Sequence, residues 1–203
     1  MHFFTPLAVL TILFFTLGCG ARVSPEAARA EPPVPVRESP PQASPLQLPL
    51  KSPRIVVKKG ARKLFLYENN KLVRTYRVGL GLSPVGDKVR SGDHRTPEGD
   101  FYVFTKNNKS AFYLSLGISY PNLAHAERGL RDGLITKAQY DSIVRANKVR
   151  RTPPQYTRLG GTIYIHGNGA SSDWTWGCVA LEDEHIRELF NAVTVGTPVT
   201  IEP

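Results

Sequence analysis

From residue 54 onward, short runs of apolar residues are separated by polar and glycine-rich segments. Residues 72–78 alternate between apolar and polar side chains, as a strand with one buried face does. Further strands are predicted at 54–58, 62–67, 101–105, 112–116, 162–165 and 199–201. The asparagines in 68–71 tolerate the positive φ of a tight turn, so this segment should connect two of the strands.

In two segments the apolar residues are spaced as on one face of a helix. Thr136 and Gln139 form a capping box at the start of a helix predicted over 136–147, and Ile135 can pack on Tyr140 as a hydrophobic staple. An apolar stripe predicts a second helix over 183–193. The fold class expected from the pattern is therefore mainly β with two helices, that is, α+β.

The N-terminal part of the chain has a different composition. Residues 3–17 form an apolar stretch as long as a signal-peptide core but short for a membrane span, and the segment 16–19 resembles a lipobox ending at Cys19. We therefore expect a signal peptide over 1–20, with Cys19 either lipidated or discarded. Residues 21–53 are rich in proline, alanine, serine and glutamate and predict a disordered tether. The folded domain then covers 54–203.

The chain is basic, with 26 Lys and Arg against 17 Asp and Glu and a formal net charge of +9. Such a balance favours anionic partners such as nucleic acid, acidic membranes or acidic wall polymers. The sequence contains no zinc-finger spacing, helix-turn-helix signature or basic zipper, so we expect no nucleic-acid partner.

Cys178 is the only cysteine of the predicted mature domain. An exported domain with one unpaired thiol argues for a working cysteine rather than a disulfide framework. His166, at the end of a predicted strand, is suited to take the thiol proton. Gly177 leaves the backbone unhindered, so the N–H groups of Gly177 and Cys178 can face an oxyanion. The group that orients His166 stays open among a backbone carbonyl, Ser171, Ser172 and Asp173.

Several residues near this pair are candidates for substrate binding. Trp174 and Trp176 can form an apolar wall for a peptide or a glycan face, or pack beneath the loop. His94 either binds substrate or lies in a solvated loop. The segment 125–158 is either a lid over the cleft or a surface insertion, and Tyr113 and Tyr120 line the cleft or pack in the core. The full set of substrate-binding candidates is Trp176, Trp174, Thr175, Gly167 and His94.

Together these motifs resemble the YkuD-type L,D-transpeptidase catalytic domain over about residues 54–203. That family has a His-Gly pair, then Ser/Thr-His-Gly-Cys, and a Thr-Pro-x-Gly-x-Phe element before a core strand. Two positions depart from it, since Trp176 replaces the histidine before Gly-Cys and Ala180 replaces a polar residue or arginine. The matching positions are His166, Gly167, Thr175, Gly177, Cys178 and the segment 94–101.

The resemblance implies a β-sandwich or barrel in which Cys178 is the nucleophile and His166 the general base. It implies that no metal or cofactor is needed and that the partner is a peptidoglycan stem peptide, joined to a neighbour in a 3→3 cross-link. Alternatives are an L,D-carboxypeptidase or amidase that uses the same cysteine, and a non-catalytic wall-binding protein. The expected location is the periplasm or cell envelope, with a possible lipid anchor on Cys19.

Overall fold

The structure is a computed structural model that describes residues 45–203. The predicted signal peptide, Cys19 and the tether up to residue 44 lie outside the described residues. The helices and strands are, in chain order, β1 (Pro53–Lys58), β2 (Lys63–Glu68), β3 (Lys71–Arg77), β4 (Gly99–Ser110), β5 (Tyr113–Ile118), α1 (Leu123–Arg131), α2 (Lys137–Lys148), β6 (Tyr164–His166), β7 (Val179–Ala180), α3 (Asp183–Ala192) and β8 (Pro198–Glu202).

The eight strands form one curled sheet in the order β3-β2-β1-β8-β4-β5-β6-β7. The pairs β1–β8 and β6–β7 are parallel, and the other neighbours are antiparallel. The chain leaving β3 then bridges to the other end of the sheet, where Gly79 pairs with Ala180 and Gly81 with Thr175. These bridges bring the two ends of the sheet together, so the sheet curls around a single main core.

Close backbone approach explains the two glycines in these bridges. A Cβ atom on Gly79 would lie 2.3 Å from the Ser172 carbonyl oxygen, and one on Gly81 would lie 2.1 Å from the His94 carbonyl oxygen. Any other side chain would therefore collide with the loop before β7 at Gly79 and with the backbone at His94 at Gly81.

The inward-facing aliphatic residues of the strands and of α3 form the main core. Helix α3 contributes Ile186, Leu189 and Ala192, all fully buried, as its predicted apolar stripe indicates. Leu50 is also buried in this core, and its N–H donates to the Ala192 carbonyl at 3.1 Å, so the folded part begins before residue 54. Burying each such aliphatic side chain contributes about 1.5–3 kcal/mol.

The structure has three helices over residues 45–203, so the prediction of two was wrong. Helix α1 begins after Asn122, whose side chain accepts the His125 N–H, and its buried face consists of His125, Ala126 and Gly129. A glycine inside a helical pattern weakens the prediction of a helix, and Gly129 lies on the buried face of α1.

The capping box at Thr136 and Gln139 is present, so the start of α2 is confirmed. Helices α1 and α2 pack on each other around a small separate core. Over residues 45–203 none of the helices has the length and apolar character needed to cross a membrane. The members of the separate core are Ala126, Ile135, Ile143 and Leu159, with Leu130, Leu134 and Tyr140 packed against it.

Candidate active site

Strand order brings His166 and Cys178 together although twelve positions separate them in the sequence. Strands β6 and β7 are parallel neighbours in which Ile165 lies opposite Val179 and His166 opposite Ala180. Cys178 is the residue that enters β7, so its side chain lies beside the backbone of β6. The two side chains line the same cavity, which has a volume of about 390 Å³.

A backbone carbonyl orients the imidazole of His166. The ring Nδ1 lies 2.7 Å from the carbonyl oxygen of Gly167. Because a carbonyl can only accept, Nδ1 carries the proton and Nε2 keeps the lone pair that a general base needs. Phe112 stacks on the ring at 4.6 Å, and Trp174 meets it edge-on at 5.5 Å. Burial lowers the pKa of His166, an effect partly offset by the Gly167 carbonyl, so the ring is neutral at pH 7.

Asp173, one of the residues considered as an orienting partner for His166, has a different role. Its carboxylate forms an ion pair with the Arg62 guanidinium at 2.7 Å and accepts the Leu80 N–H at 2.9 Å. The carboxylate therefore ties the loop before Cys178 to the chain around β2 and the bridging segment.

The Cys178 thiol is half-buried and lies against the backbone of the residues that lead into β6. Its sulfur receives the Tyr164 N–H at 3.4 Å and donates to the Thr162 carbonyl at 3.7 Å. Burial raises the pKa of Cys178 to about 11, although the Tyr164 N–H and the Lys88 charge act in the opposite direction. Within residues 45–203 no hydrogen bond joins the sulfur to His166, so an attack on substrate requires proton transfer to the imidazole as the bond forms.

Two threonine hydroxyls fix the backbone of Cys178. Thr175 Oγ1 donates to the Cys178 carbonyl at 2.8 Å and accepts the Gly177 N–H at 3.1 Å. Thr96 Oγ1 donates to the same carbonyl at 3.4 Å. The prediction that the Gly177 N–H faces an oxyanion is therefore not met, because that donor is already engaged. The Cys178 N–H has no acceptor among the described residues and remains available for an oxyanion.

Gly167 and Thr175 are held in place by contacts within the protein. Gly167 is buried, its N–H donates to the Phe112 carbonyl at 3.1 Å, and a Cβ there would lie 2.5 Å from Asp183. Thr175 is 3% exposed and its hydroxyl is engaged by the backbone contacts described above. Both residues are thus held by internal contacts, and of the two only Thr175 lines a cavity at the thiol.

The two tryptophans have different environments. Trp174 is half-buried beside His166, and its indole N–H donates to the Gly169 carbonyl at 3.1 Å. Trp176 is 78% exposed, and the His94 ring stacks on it at 5.9 Å. Trp176 is thus a candidate contact surface, and His94 lies against it rather than beside the thiol.

A second cavity of about 360 Å³ meets the first at the thiol. Its walls come mainly from the loop before β7, whereas those of the first cavity come mainly from the β4–β5 hairpin. Both cavities share Phe112, Thr162, His166 and Cys178. The hairpin residues that line only the first cavity are Asn107, Lys109, Ser110, Ala111 and Ser115, and Trp174, Thr175 and Trp176 line only the second.

The sequence did not identify the hairpin residues or the backbone groups of Thr162 and Tyr164 as parts of the site. Residues 106–110 are all polar and read as an ordinary exposed segment. Backbone donors cannot be recognised from the residue types in a sequence. The sequence predicts Phe112 to lie in a strand and does not indicate that its ring stacks on His166.

Helices α1 and α2 do not reach the thiol, since neither cavity at Cys178 has a lining residue from 125–158. The two helices pack around their own small core rather than over the sulfur. Tyr120 is fully buried, whereas Tyr113 is 42% exposed and lines neither cavity. Residues 45–203 contain no group of three His, Cys, Asp or Glu side chains placed to hold a metal ion.

The family model of the YkuD L,D-transpeptidase catalytic domain matches residues 52–201, and the chain belongs to this family. No curated protein sequence matches the chain.

Solved structures share this fold. One is a K307A mutant of the helical cell shape determining protein Pgp2 from Campylobacter jejuni, with a TM-score of 0.50 and 22% identity over 76% of this chain and 49% of that chain. For Bd1075 from Bdellovibrio bacteriovorus the TM-score is 0.47 and the identity is 23%, over 75% of this chain and 48% of that chain. For an L,D-transpeptidase from Xylanimonas cellulosilytica the TM-score is 0.44 and the identity is 19%, over 82% of this chain and 64% of that chain. This chain therefore spans about half to two thirds of their lengths.

Proposed function

We propose that the protein is a peptidoglycan L,D-transpeptidase that forms 3→3 cross-links through a thioester on Cys178. The observation that carries the proposal is the shared cavity, in which the only thiol of the described residues and a neutral imidazole with a free Nε2 lie together. Membership of the YkuD family supports the choice of peptidoglycan stem peptides as substrate.

In the first half of the reaction, Nε2 of His166 accepts the thiol proton while Sγ of Cys178 attacks the carbonyl carbon between diaminopimelate and the terminal D-alanine. The carbonyl oxygen becomes an oxyanion, and the Cys178 N–H is placed to stabilise it. The carbon–nitrogen bond then breaks, His166 returns the proton to the amine of D-alanine, and a thioester remains.

In the second half, the side-chain amine of a neighbouring stem gives a proton to His166 and attacks the thioester carbon. The carbon–sulfur bond breaks, an amide forms, and the thiol is regenerated. The two cavities that meet at Cys178 support transfer to an amine, because a donor and an acceptor each need their own space beside the sulfur. Hydrolysis needs only a water molecule in place of the second stem.

The proposal is tested by intact mass spectrometry of the domain incubated with a carbapenem or with a tetrapeptide donor. We expect one adduct on Cys178 that is absent from Cys178→Ala and forms much more slowly on His166→Ala. An unmodified wild-type protein would instead indicate a non-catalytic wall-binding role. Muropeptide analysis of the products then separates the outcomes, since 3→3 dimers indicate transfer and tripeptide monomers alone indicate hydrolysis.

The proposed site of action is the cell envelope, which the apolar stretch 3–17 and the segment ending at Cys19 support. Export would bring the basic domain to an anionic wall polymer. The mass of the mature protein checks both the cleavage and the anchor. A diacylglycerol-modified N-terminus at Cys19 that is lost in Cys19→Ser is expected, whereas cleavage beyond residue 19 without lipid would refute the anchor.

A further inference from the structure

A third cavity, of about 350 Å³, lies next to the thiol site between the loop at 88–94 and the loop at 155–162. Two strongly exposed aromatic side chains line it: Tyr156 is 91% and Trp176 is 78% exposed. Large aromatic surfaces held in water next to a cavity are typical of binding sites, because they add little to the packing of the fold.

The walls of this groove are held rigidly. The Gln155 side chain donates to the carbonyls of Tyr120 and Pro153 at 3.2 and 2.7 Å and accepts the Thr162 N–H at 2.7 Å. On the facing loop the Ser91 N–H donates to the Arg158 carbonyl at 2.8 Å, which ties the two loops together. Tyr156 is therefore displayed on a fixed loop, and a ligand would meet a preformed surface.

The groove offers little net charge to a ligand. Lys88, one of its lining residues, is 3% exposed and pairs with Asp93 at 2.6 Å. The Asp93 carboxylate also accepts the N–H groups of Val89, Arg90 and Arg95. What remains for a ligand is a set of hydroxyl, imidazole and aromatic groups, contributed by Ser91, His94, Tyr156, Thr157 and Trp176.

We propose that this groove binds the sugar units of a glycan strand, a step that rests on the proposed function. Pyranose rings present C–H faces that stack on aromatic rings and neutral hydroxyls that hydrogen-bond to polar side chains. The groove has both kinds of partner, with no uncompensated Lys88 charge to select a carboxylate.

The position of the groove also fits a sugar that carries the reacting peptide. It shares Thr162 with both cavities at the thiol and Trp176 with the second one. A peptide stem whose scissile bond lies at Cys178 can thus continue past Trp176 to a glycan stacked on Tyr156. Trp176 contacts both parts of such a substrate, whereas Tyr156 lines only the sugar groove among these three cavities.

The test compares two donors, a disaccharide-tetrapeptide and the same tetrapeptide without sugar. Tyr156→Ala should lower kcat/KM for acylation by the disaccharide-tetrapeptide about tenfold and leave the sugar-free peptide within about twofold. Tyr113→Ala is the matched control, because Tyr113 is also an exposed tyrosine and lines none of the three cavities. It should change neither value.

An equal loss with both donors would mean that the groove holds peptide, and no loss with either would mean that it holds nothing; each result overturns the proposal. A second measurement does not need catalysis. In Cys178→Ala, titration with a chitooligosaccharide should quench the fluorescence of exposed Trp176, and Tyr156→Ala should weaken that binding about tenfold. If the wild type acylates with neither donor but still binds the oligosaccharide through Tyr156, the proposed function fails while the sugar groove stands. No quenching at millimolar oligosaccharide would refute the groove.

Discussion

Replacement of His166 by alanine should make acylation of Cys178 depend directly on the thiolate concentration. The thiol is protonated at rest, and its only hydrogen-bond partners among the described residues are the backbone groups of Tyr164 and Thr162. Without the imidazole, the proton must leave to water or hydroxide before the sulfur can attack.

The size of the effect follows from the thiol pKa of about 11, which burial produces. At pH 7 a thiol with this pKa is ionised in only about one molecule in 10⁴. A positioned general base typically accelerates such a step by about 10²–10⁴-fold, so His166→Ala should lose about this factor at pH 7. The variant should then regain about tenfold per pH unit, because each unit raises the thiolate fraction tenfold below the pKa.

The assay is the rate of carbapenem acylation between pH 6 and pH 10, followed by intact mass, with thiolate absorbance at 240 nm recorded in parallel. His185→Ala is the control, because this histidine lies on α3 against Tyr76 and lines neither cavity at the thiol. A wild-type thiol that ionises below pH 9 would refute the protonated resting state. A His166→Ala rate that does not rise with pH would refute the role assigned to the imidazole.

Three further outcomes follow from the same contacts. Because burial lowers the pKa of His166, its base form persists below pH 6.5. The acid limb of the wild-type kcat/KM profile should therefore have an apparent pKa under 6.5. An apparent pKa above 7 for this limb would contradict the prediction. Thr175→Val removes two hydrogen bonds of about 1 kcal/mol each, so urea denaturation should show a loss of about 2 kcal/mol, while Thr175→Ser should keep most of it. Lys59 is 2% exposed and pairs with Glu98 at 2.7 Å. Lys59→Met should lower the free energy of unfolding by about 3 kcal/mol, because the Glu98 carboxylate is left without its partner, and an added Glu98→Gln should recover part of that loss. Unchanged stability in Lys59→Met would show that the pair is not needed.

Much of the fold could be predicted because its strands and two of its helices depend on local patterns. The alternation in 72–78 and the capping box at Thr136 each reflect a requirement that neighbouring residues satisfy by themselves. Helix α1 was not predicted: Gly129 in its middle weakens a helical pattern, and its packing against α2 depends on tertiary contacts. The two-residue strand β7 is too short to have a pattern of its own.

Of the candidate site, the sequence predicts the two central side chains, His166 and Cys178. A single thiol after Gly177 and a histidine at the end of a strand are visible as residue types, and their pairing is a chemical expectation. The function of the neighbouring groups was not visible. Thr175 was expected to contact substrate, yet its hydroxyl holds the backbone of Cys178 and engages the Gly177 N–H. Hydrogen-bond partners across a loop depend on the folded path of the chain.

The sequence by itself determined which residues can do chemistry and which segments become strands, because reactivity and short-range periodicity are properties of the residues and their neighbours. Only the tertiary structure decided that β6 and β7 lie in parallel, that the Gly167 carbonyl fixes the His166 ring, and that burial keeps the thiol protonated. It also decided which tryptophan faces water: Trp174 packs against His166, whereas Trp176, two residues further along, stands exposed. These outcomes depend on distances between residues far apart in the chain, and the packed core sets those distances.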